Sequence, residues 1–550
     1  MPTNPSTSQE DQSIKLSVTV KSRLEARYDP ADLQLIKDAV KQWIEADVKR
    51  GIQTVHVHVD DPTEMNARGV QPVSGEATAE KIKQAIEDLW NTFTPEPDYL
   101  VLFGGEDIVP MFQVPNPAIG MRGLDPDPTV PSDNPYATHL DFSPSDPKSY
   151  VVPERAIGRI PDMVSDPAYP NRKGDAGWLL DYLKVATNWK PKAKSFYKRP
   201  YAICTAEAEA AATEFMQKTF TEPGLPLLCP PVSDSAVSPA ARNQLSARLH
   251  MIKCHGNKGD ATFWGFPEFL PHTRENASAA INSATLKALL QPSTVVASMC
   301  CYGAQIFSPS DPKARSPGEW PMASTYLRQG ALGFIGSTMM AWVGTSAMGP
   351  ADWIVQGYVK NVLAGASTGN AFLACKQDYR SHYSFEDNTL SDNEEKTLIE
   401  YVLLGDPSIH PVRSSQSAKA LVAVQSRRRR RDSRKKLAEG MRECLPKRSP
   451  ATDADKAMAD KVFIRAKKEI AKIAKDDIEK LKEFDIDPTT FQVKRVDAPL
   501  PGSQETRQSL EFYWSGTRDR GGQKQVCVLK AETDRKGSLV PGQAAVVYSS

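Results

Sequence analysis

The chain has 550 residues, 40% of them hydrophobic and 25% charged, with 68 Lys+Arg against 67 Asp+Glu. This is ordinary globular composition with room for several packing units, and it excludes a wholly disordered, collagen-like or disulfide-stapled chain. The balance of +1 points to no polyanionic partner, and eight cysteines without a Cys-x-x-Cys pair read as reduced thiols. No segment approaches the roughly 20 apolar residues of a membrane span, and no basic stretch leads into an apolar core at the N-terminus. The expectation is a cytoplasmic protein with no membrane partner.

Residues 1–12 are polar and rich in Pro, Ser and Thr, and read as a tail. Asp29-Pro30 supplies an N-cap and a first-turn proline, and Leu33, Ile36, Val40, Trp43, Ile44 and Val48 follow at helical spacing up to Gly51. Val55, Val57 and Val59 alternate as a strand. Ile82, Ile86, Leu89 and Trp90 predict a helix near 78–93. Tyr99–Phe103 is a near-continuous apolar run, the pattern of a strand covered on both faces. Strands alternating with helices predict an α/β class with a mostly parallel sheet.

Residues 110–172 are rich in Pro, Asp and Ser and read as long loops, a length that implies a job. A second α/β series opens at Tyr201-Ala202-Ile203-Cys204. Strands are expected at Leu249–Cys254, Thr294–Met299 and Ala331–Ser337, with helices near 278–290 and 319–329, and the compact region closes at Tyr401–Pro407. Residues 413–450 then hold 13 Lys/Arg against 3 Asp/Glu, including Arg427–Arg431 in a row. A helix near 453–484 and strands at 510–514, 525–530 and 543–548 predict a small α+β module. The expected division is a tail (1–12), two α/β subdomains (13–172 and 173–412), a basic linker (413–450) and a C-terminal module (451–550).

Two segments carry chemistry. Met251-Ile252-Lys253-Cys254-His255-Gly256-Asn257 is a strand running into His-Gly at a turn, and Thr294–Gly303 is a strand ending in Cys300-Cys301-Tyr302-Gly303. At the carboxyl ends of neighbouring parallel strands, such residues meet in one crevice. A thiol and an imidazole delivered there form a nucleophile–base pair. The Gly256 N–H, with that of the nucleophile, would bind a developing oxyanion.

Several stretches resemble the gingipain family of cysteine peptidases, relatives of caspases, legumains and the CHAT proteases. They are His255-Gly256 followed by Trp264, Val295–Gly303, Gly336-Ser337-Thr338 with Trp342, and Leu404-Gly405-Asp406-Pro407-Ser408. Upstream, Leu102–Pro110, Ser132-Asp133-Asn134-Pro135-Tyr136 and Ala156-Ile157-Gly158-Arg159 resemble the family's first, non-catalytic subdomain. Together they cover about 95–411 in the family's order. The resemblance implies a caspase-like α/β sandwich in two subdomains, with 173–412 catalytic. It implies Cys300 as nucleophile, His255 as general base and acid, and Glu207 as the acidic residue supporting the histidine. It implies no cofactor in the chemistry, and bound calcium rests on the resemblance alone. The chain departs from the family at Cys254, where glycine is frequent, at the second cysteine Cys301, and in a short loop after Glu207.

Alternatives stand beside these readings. Glycine lies at +3 from Cys300 and +2 from Cys301, and the alternation upstream favours Cys300. Trp264 and Trp342 line a substrate cleft or sit in the core. Glu209, Glu214 and Asp260 are candidates to select a basic residue before the cut, against a plain surface role. His56 and His58 share a strand face but lack a third metal ligand, and His250 reads as structural. Nothing resembles a zinc site, a phosphate loop or a dinucleotide fingerprint. The Arg427–Arg431 run is a solvated linker, a site of self-cleavage or of cutting by an upstream protease, or a phosphate-binding segment; the lack of aromatics around it argues against nucleic acid. The expected function is cysteine endopeptidase acting on protein substrates after a basic residue, in regulated proteolysis such as a bacterial signalling or defence cascade. The rival is a catalytically silent scaffold that binds through its C-terminal module.

Overall fold

Tyr99–Phe103 is buried at all five positions, as are Ala156–Ile160, Tyr201–Thr205, Leu249–Lys253 and Gly333–Ser337. Successive residues of a strand face opposite ways, so these strands are covered on both faces. In a computed structural model, the structure describes residues 13–120, 128–164, 173–230, 244–267, 275–311, 314–379, 390–413, 432–440, 442, 445, 447–450, 452–473, 485–499, 506–520 and 523–548. The expected tail and the Arg427–Arg431 run lie outside them.

In chain order the strands are β1 (Ser13–Thr19), β2 (Ile52–His58), β3 (Tyr99–Phe103), β4 (Phe112–Pro115), β5 (Thr129–Ser132), β6 (Ala156–Ile160), β7 (Tyr201–Thr205), β8 (Leu227–Cys229), β9 (Leu249–Lys253), β10 (Thr262–Gly265), β11 (Ser278–Asn282), β12 (Val295–Ser298), β13 (Gly333–Ser337) and β14 (Tyr401–Leu404). Ten of them form one sheet in the order β2-β1-β3-β6-β14-β13-β12-β9-β7-β8. Every neighbouring pair is parallel except β13–β14. The fold is thus α/β with a mostly parallel sheet. The four strands on the β2 side run opposite to the five on the β8 side, and β14 joins the halves. Its ladder to β6 is the single pair Leu404↔Arg159.

Side chains reinforce that narrow seam. Lys15 of β1 is fully buried, with Nζ 2.5 Å from Asp47 Oδ2 and 2.7 Å from Asp406 Oδ2. The same ammonium donates to Ser408 Oγ at 3.0 Å and lies 4.1 Å from the centroid of Trp43, whose indole N–H also reaches Asp406 at 2.9 Å. Burial pushes the Asp406 carboxyl up, but Lys15 and the Ser408 N–H and hydroxyl outweigh it and hold it below its ordinary range. The Gly-Asp-Pro-Ser segment after β14 is therefore a clamp on β1 and the Pro30–Lys49 helix. Gly405 has φ +129°, a conformation that favours glycine, and packs against the Tyr182 hydroxyl.

A second buried pair explains three upstream motifs at once. Arg159 is fully buried, with Nε and Nη2 bonded to Asp133 at 3.0 and 2.5 Å and Nη1 to the carbonyls of Gly104 and Val109. Asn134 next to it bonds the Leu398 carbonyl (2.9 Å) and receives Lys376 Nζ (2.6 Å), tying this loop to the second half.

The structure departs from the sequence expectations in four places. The first strand, β1, lies in a stretch given no element from the sequence; its polar residues Lys15, Ser17 and Thr19 are buried on Asp406, His56 and the Phe103 carbonyl. Within 110–172 stand β4, β5 and the central strand β6, which its buried arginine hides from hydropathy. The stretch expected as one helix over 278–290 is β11 followed by a helix at Ser283–Leu289, because Asn282 accepts the Thr285 N–H (2.9 Å) and sets the helix start. In the C-terminal region, helix Ala459–Ile473 packs on an antiparallel sheet of β15 (Lys447–Pro450), β16 (Asp485–Pro499), β17 (Thr506–Arg520), β18 (Gln523–Asp534) and β19 (Leu539–Tyr548), of which β15 and β16 were unforeseen. Its core, with Val462, Phe463, Phe512, Trp514 and Leu529, is separate from the core of the large sheet. No helix among the described residues is long and apolar enough to cross a membrane.

Lys15→Met leaves two buried carboxylates without their shared cation, and urea unfolding is expected to show a loss of about 3–5 kcal/mol. His250 on β9 is also fully buried; Nε2–H donates to the Ala247 carbonyl at 3.1 Å, and Nδ1 accepts from the Tyr326 hydroxyl at 2.9 Å. Burial lowers its pKa from 6.5 to about 4. A depressed histidine contributes stability that is complete above the unfolded value and lost as pH falls towards the folded one. Unfolding free energy is therefore expected to drop between pH 6.5 and 4, and His250→Gln to flatten that part of the curve.

Candidate active site

β9 ends at Lys253, and the chain continues through Cys254 to His255 and Gly256. Two backbone hydrogen bonds of 2.8 Å pair His255 with Trp264 of β10, and Phe266 stands edge-on to the imidazole at 5.0 Å. The ring is 5% exposed. Its Nε2 lies 2.7 Å from Glu207 Oε1, and Glu207 is at the start of the turn that follows β7. β7 and β9 are neighbours in the sheet, which is why residues 48 apart in sequence meet. A carboxylate on one ring nitrogen fixes the ring's tautomer and orientation.

β12, the neighbour of β9 on its other side, delivers the two cysteines. Cys300 is fully buried; its thiol accepts the Cys254 N–H at 3.4 Å and lies 3.6 Å from the Ile252 carbonyl. Burial pushes this thiol up to about 12. Cys301 turns the other way, with Sγ accepting the Ala341 N–H at 3.3 Å in the segment after β13. Among the described residues, Cys300 makes no hydrogen bond to His255.

Two glycines close the turn. Gly256 lies against the Cys301 backbone, where a Cβ would overlap its carbonyl oxygen. Gly303 packs under Ser298, whose Oγ accepts the Cys300 N–H at 3.2 Å. Between them Tyr302 takes φ +54°, a left-handed turn in a non-glycine residue, the kind of strain that gathers at functional sites. The Gly256 N–H has no acceptor among the described residues. His255, Glu207, Gly256 and Cys300 thus converge at the carboxyl ends of β7, β9 and β12.

A family model for Peptidase family C25 matches residues 27–166. The chain is similar to the gingipain family of cysteine peptidases. Similar solved structures include the Arg-specific cysteine proteinase gingipain R, at 13% identity over 100% of this chain and 93% of that one, with a TM-score of 0.48. The complex of the RgpB pro- and mature domains from Porphyromonas gingivalis is similar at 13% identity over 98% and 93%, TM-score 0.46. No curated protein matches. The gingipain-like match takes in Trp43, Asp47, Asp133 and Arg159, and ends ahead of Glu207, His255 and Cys300.

The remaining candidates are placed as follows. Asp260 is committed to its own loop: it accepts from Trp264 Nε1 and Ser316 Oγ, both at 2.8 Å, and from the Thr262 N–H at 3.0 Å. Trp264 is partly buried by that contact. Trp342 is fully buried, its indole N–H without a partner among the described residues. Glu214 accepts the Met348 N–H at 3.0 Å and pairs with Lys218 at 2.6 Å. Glu209 is exposed in the first turn of the Glu209–Thr219 helix. His56 and His58 bond Ser17 and Glu64. Among the described residues no group of three or more His, Cys, Asp or Glu could hold a metal ion.

The sequence reading missed Lys253 and Asp352, a buried pair 2.5 Å apart beside the site, because the partners lie 99 residues apart. Gly256→Ala is expected to destabilise the protein by about 1–3 kcal/mol in chemical unfolding, since the new methyl group meets backbone that cannot move aside.

Proposed function

We propose that the protein is a cysteine-type endopeptidase in which Cys300 attacks the scissile carbonyl and His255 carries the proton to the leaving amine. The observation that carries this reading is the Glu207–His255 pair at the end of β9, next to the strand that ends in Cys300. The thiolate forms an acyl-enzyme, and water activated by His255 then releases it. The Gly256 N–H, without an acceptor among the described residues, supports an oxyanion site there. Cys300 is favoured over Cys301 because its thiol lies on the β9 side, towards the histidine's strand, whereas Cys301 is turned onto Ala341.

The substrates would be proteins, cut after a basic residue. Asp260 and Glu214 are held by internal bonds, so the carboxylate left for a substrate cation is the exposed Glu209. Regulated proteolysis inside the cell, self-processing at Arg427–Arg431 and activation by an upstream protease belong to the same proposal.

One observation favours a second reading, a silent scaffold: the Cys300 thiol is fully buried and held high. A fluorogenic peptide panel varied at the residue before the cut separates the two. Cys300→Ala is expected to abolish cleavage, His255→Ala to lower it by about 10²–10⁴-fold, and Cys301→Ala to leave it standing. Glu209→Gln is expected to weaken cleavage after Arg and Lys alone. Equal cleavage by wild type and Cys300→Ala, or none by either after the arginine run is cut with trypsin, would sink the peptidase reading.

A further inference from the structure

The Lys253–Asp352 pair is a buried charge beside the candidate nucleophile that the proposed chemistry leaves unused. Lys253 is 3% exposed and Asp352 fully buried, with Nζ 2.5 Å from Oδ1. The other carboxylate oxygen accepts the N–H groups of Gly344 (3.0 Å) and Gly349 (2.9 Å), and neither glycine has room for a side chain. Asp352 is therefore fixed by three donors. The segment it holds starts at Ala341, which binds the Cys301 thiol, and bonds through Thr345 and Met348 to the helix that follows Glu207.

Lys253 is equally well placed. The Cys300 thiol bonds the two backbone groups on either side of it, the Ile252 carbonyl and the Cys254 N–H. Ser298↔Ile252 is the last ladder pair of β12 with β9, so Cys300 lies beside the end of Lys253's own strand. A lysine buried without a counter-ion loses its proton, because burial disfavours the charged form. Asp352 supplies that counter-ion at 2.5 Å.

We propose that Lys253, held in its ion pair with Asp352, is a positioning residue that favours the thiolate of Cys300; this rests on the reading of Cys300 as the nucleophile. Besides His255 and Lys253, the titratable groups around the thiol are Cys254 just after β9, Cys301, Tyr326 from the Met322–Arg328 helix and Tyr401 of β14, none of them a cation. Burial raises the thiol, and the Ser298 hydroxyl, the Cys254 N–H and the Lys253 charge act against that rise. An ion pair that served packing alone could be replaced by neutral groups with no effect on the thiol.

The test is the pH dependence of iodoacetamide alkylation at Cys300, followed by peptide mapping of the intact protein, with thermal melts alongside. Lys253→Met is expected to move the profile up by about one pH unit, a fall of about tenfold in rate at pH 8. Asp352→Asn is expected to do the same, the double variant no more than either, and Lys253→Arg to stay near wild type. Lower melting temperatures with an unmoved profile overturn the proposal. Should Lys253→Met fail to fold, the double variant, which leaves no buried charge unpaired, carries the same comparison. In wild type, Cys300 reacting no faster than the buried Cys375 overturns the nucleophile assignment and this inference with it. A fast Cys300 indifferent to Lys253 overturns this inference alone.

Discussion

The two halves of the large sheet meet on the ammonium of Lys15. The backbone ladder that carries β14 onto the first half is one residue pair wide, too little to hold the halves in register. What fixes them is a buried cation on two carboxylates, one from the Pro30–Lys49 helix and one from the turn after β14. In the low-dielectric interior such a cluster is costly to form and more costly to break. It therefore specifies one docking of the halves where apolar packing would tolerate several. Arg159 on Asp133 does the same for the loops over the first half.

The reversal at β13–β14 also decides where chemistry can occur. Glu207, His255 and Cys300 follow β7, β9 and β12, three adjacent strands of one direction, so their carboxyl ends open on one edge. There the chain turns sharply twice, and Gly256 and Gly303 are the residues that let backbone approach backbone. The carboxylate–imidazole pair is built by the fold alone, from a turn after one strand and the end of the next.

Around the thiol the structure sets two tendencies against each other. Complete burial disfavours the anion, while backbone N–H, hydroxyl and ammonium groups gathered about Cys300 favour it. In such surroundings preorganised donors stand in place of water around a developing charge. The carboxylates that read in sequence as free substrate-selecting charges have mostly structural work: Asp260 orients the Trp264 indole, and Glu214 holds the Met348 turn.

Much of this was legible in the sequence. Apolar runs such as Tyr99–Phe103 and the helical spacing from Leu33 to Val48 determined the α/β class, because burial on both faces leaves a signature that is local in the chain. The strand–His-Gly and strand–Cys segments determined the candidate site residues, because the histidine and the cysteine each follow a strand end. Tertiary structure alone decided the rest. β1 and β6 carry Lys15 and Arg159, residues that read as solvated until their carboxylate partners, hundreds of residues away or across a loop, neutralise them. Likewise Lys253, Asp352 and the way each cysteine faces depend on which strands lie side by side, and no spacing along the chain encodes the adjacency of β7, β9, β12 and β13. Hydrophobic periodicity is a property of neighbours in sequence, whereas a buried charge is explained only by its neighbours in space.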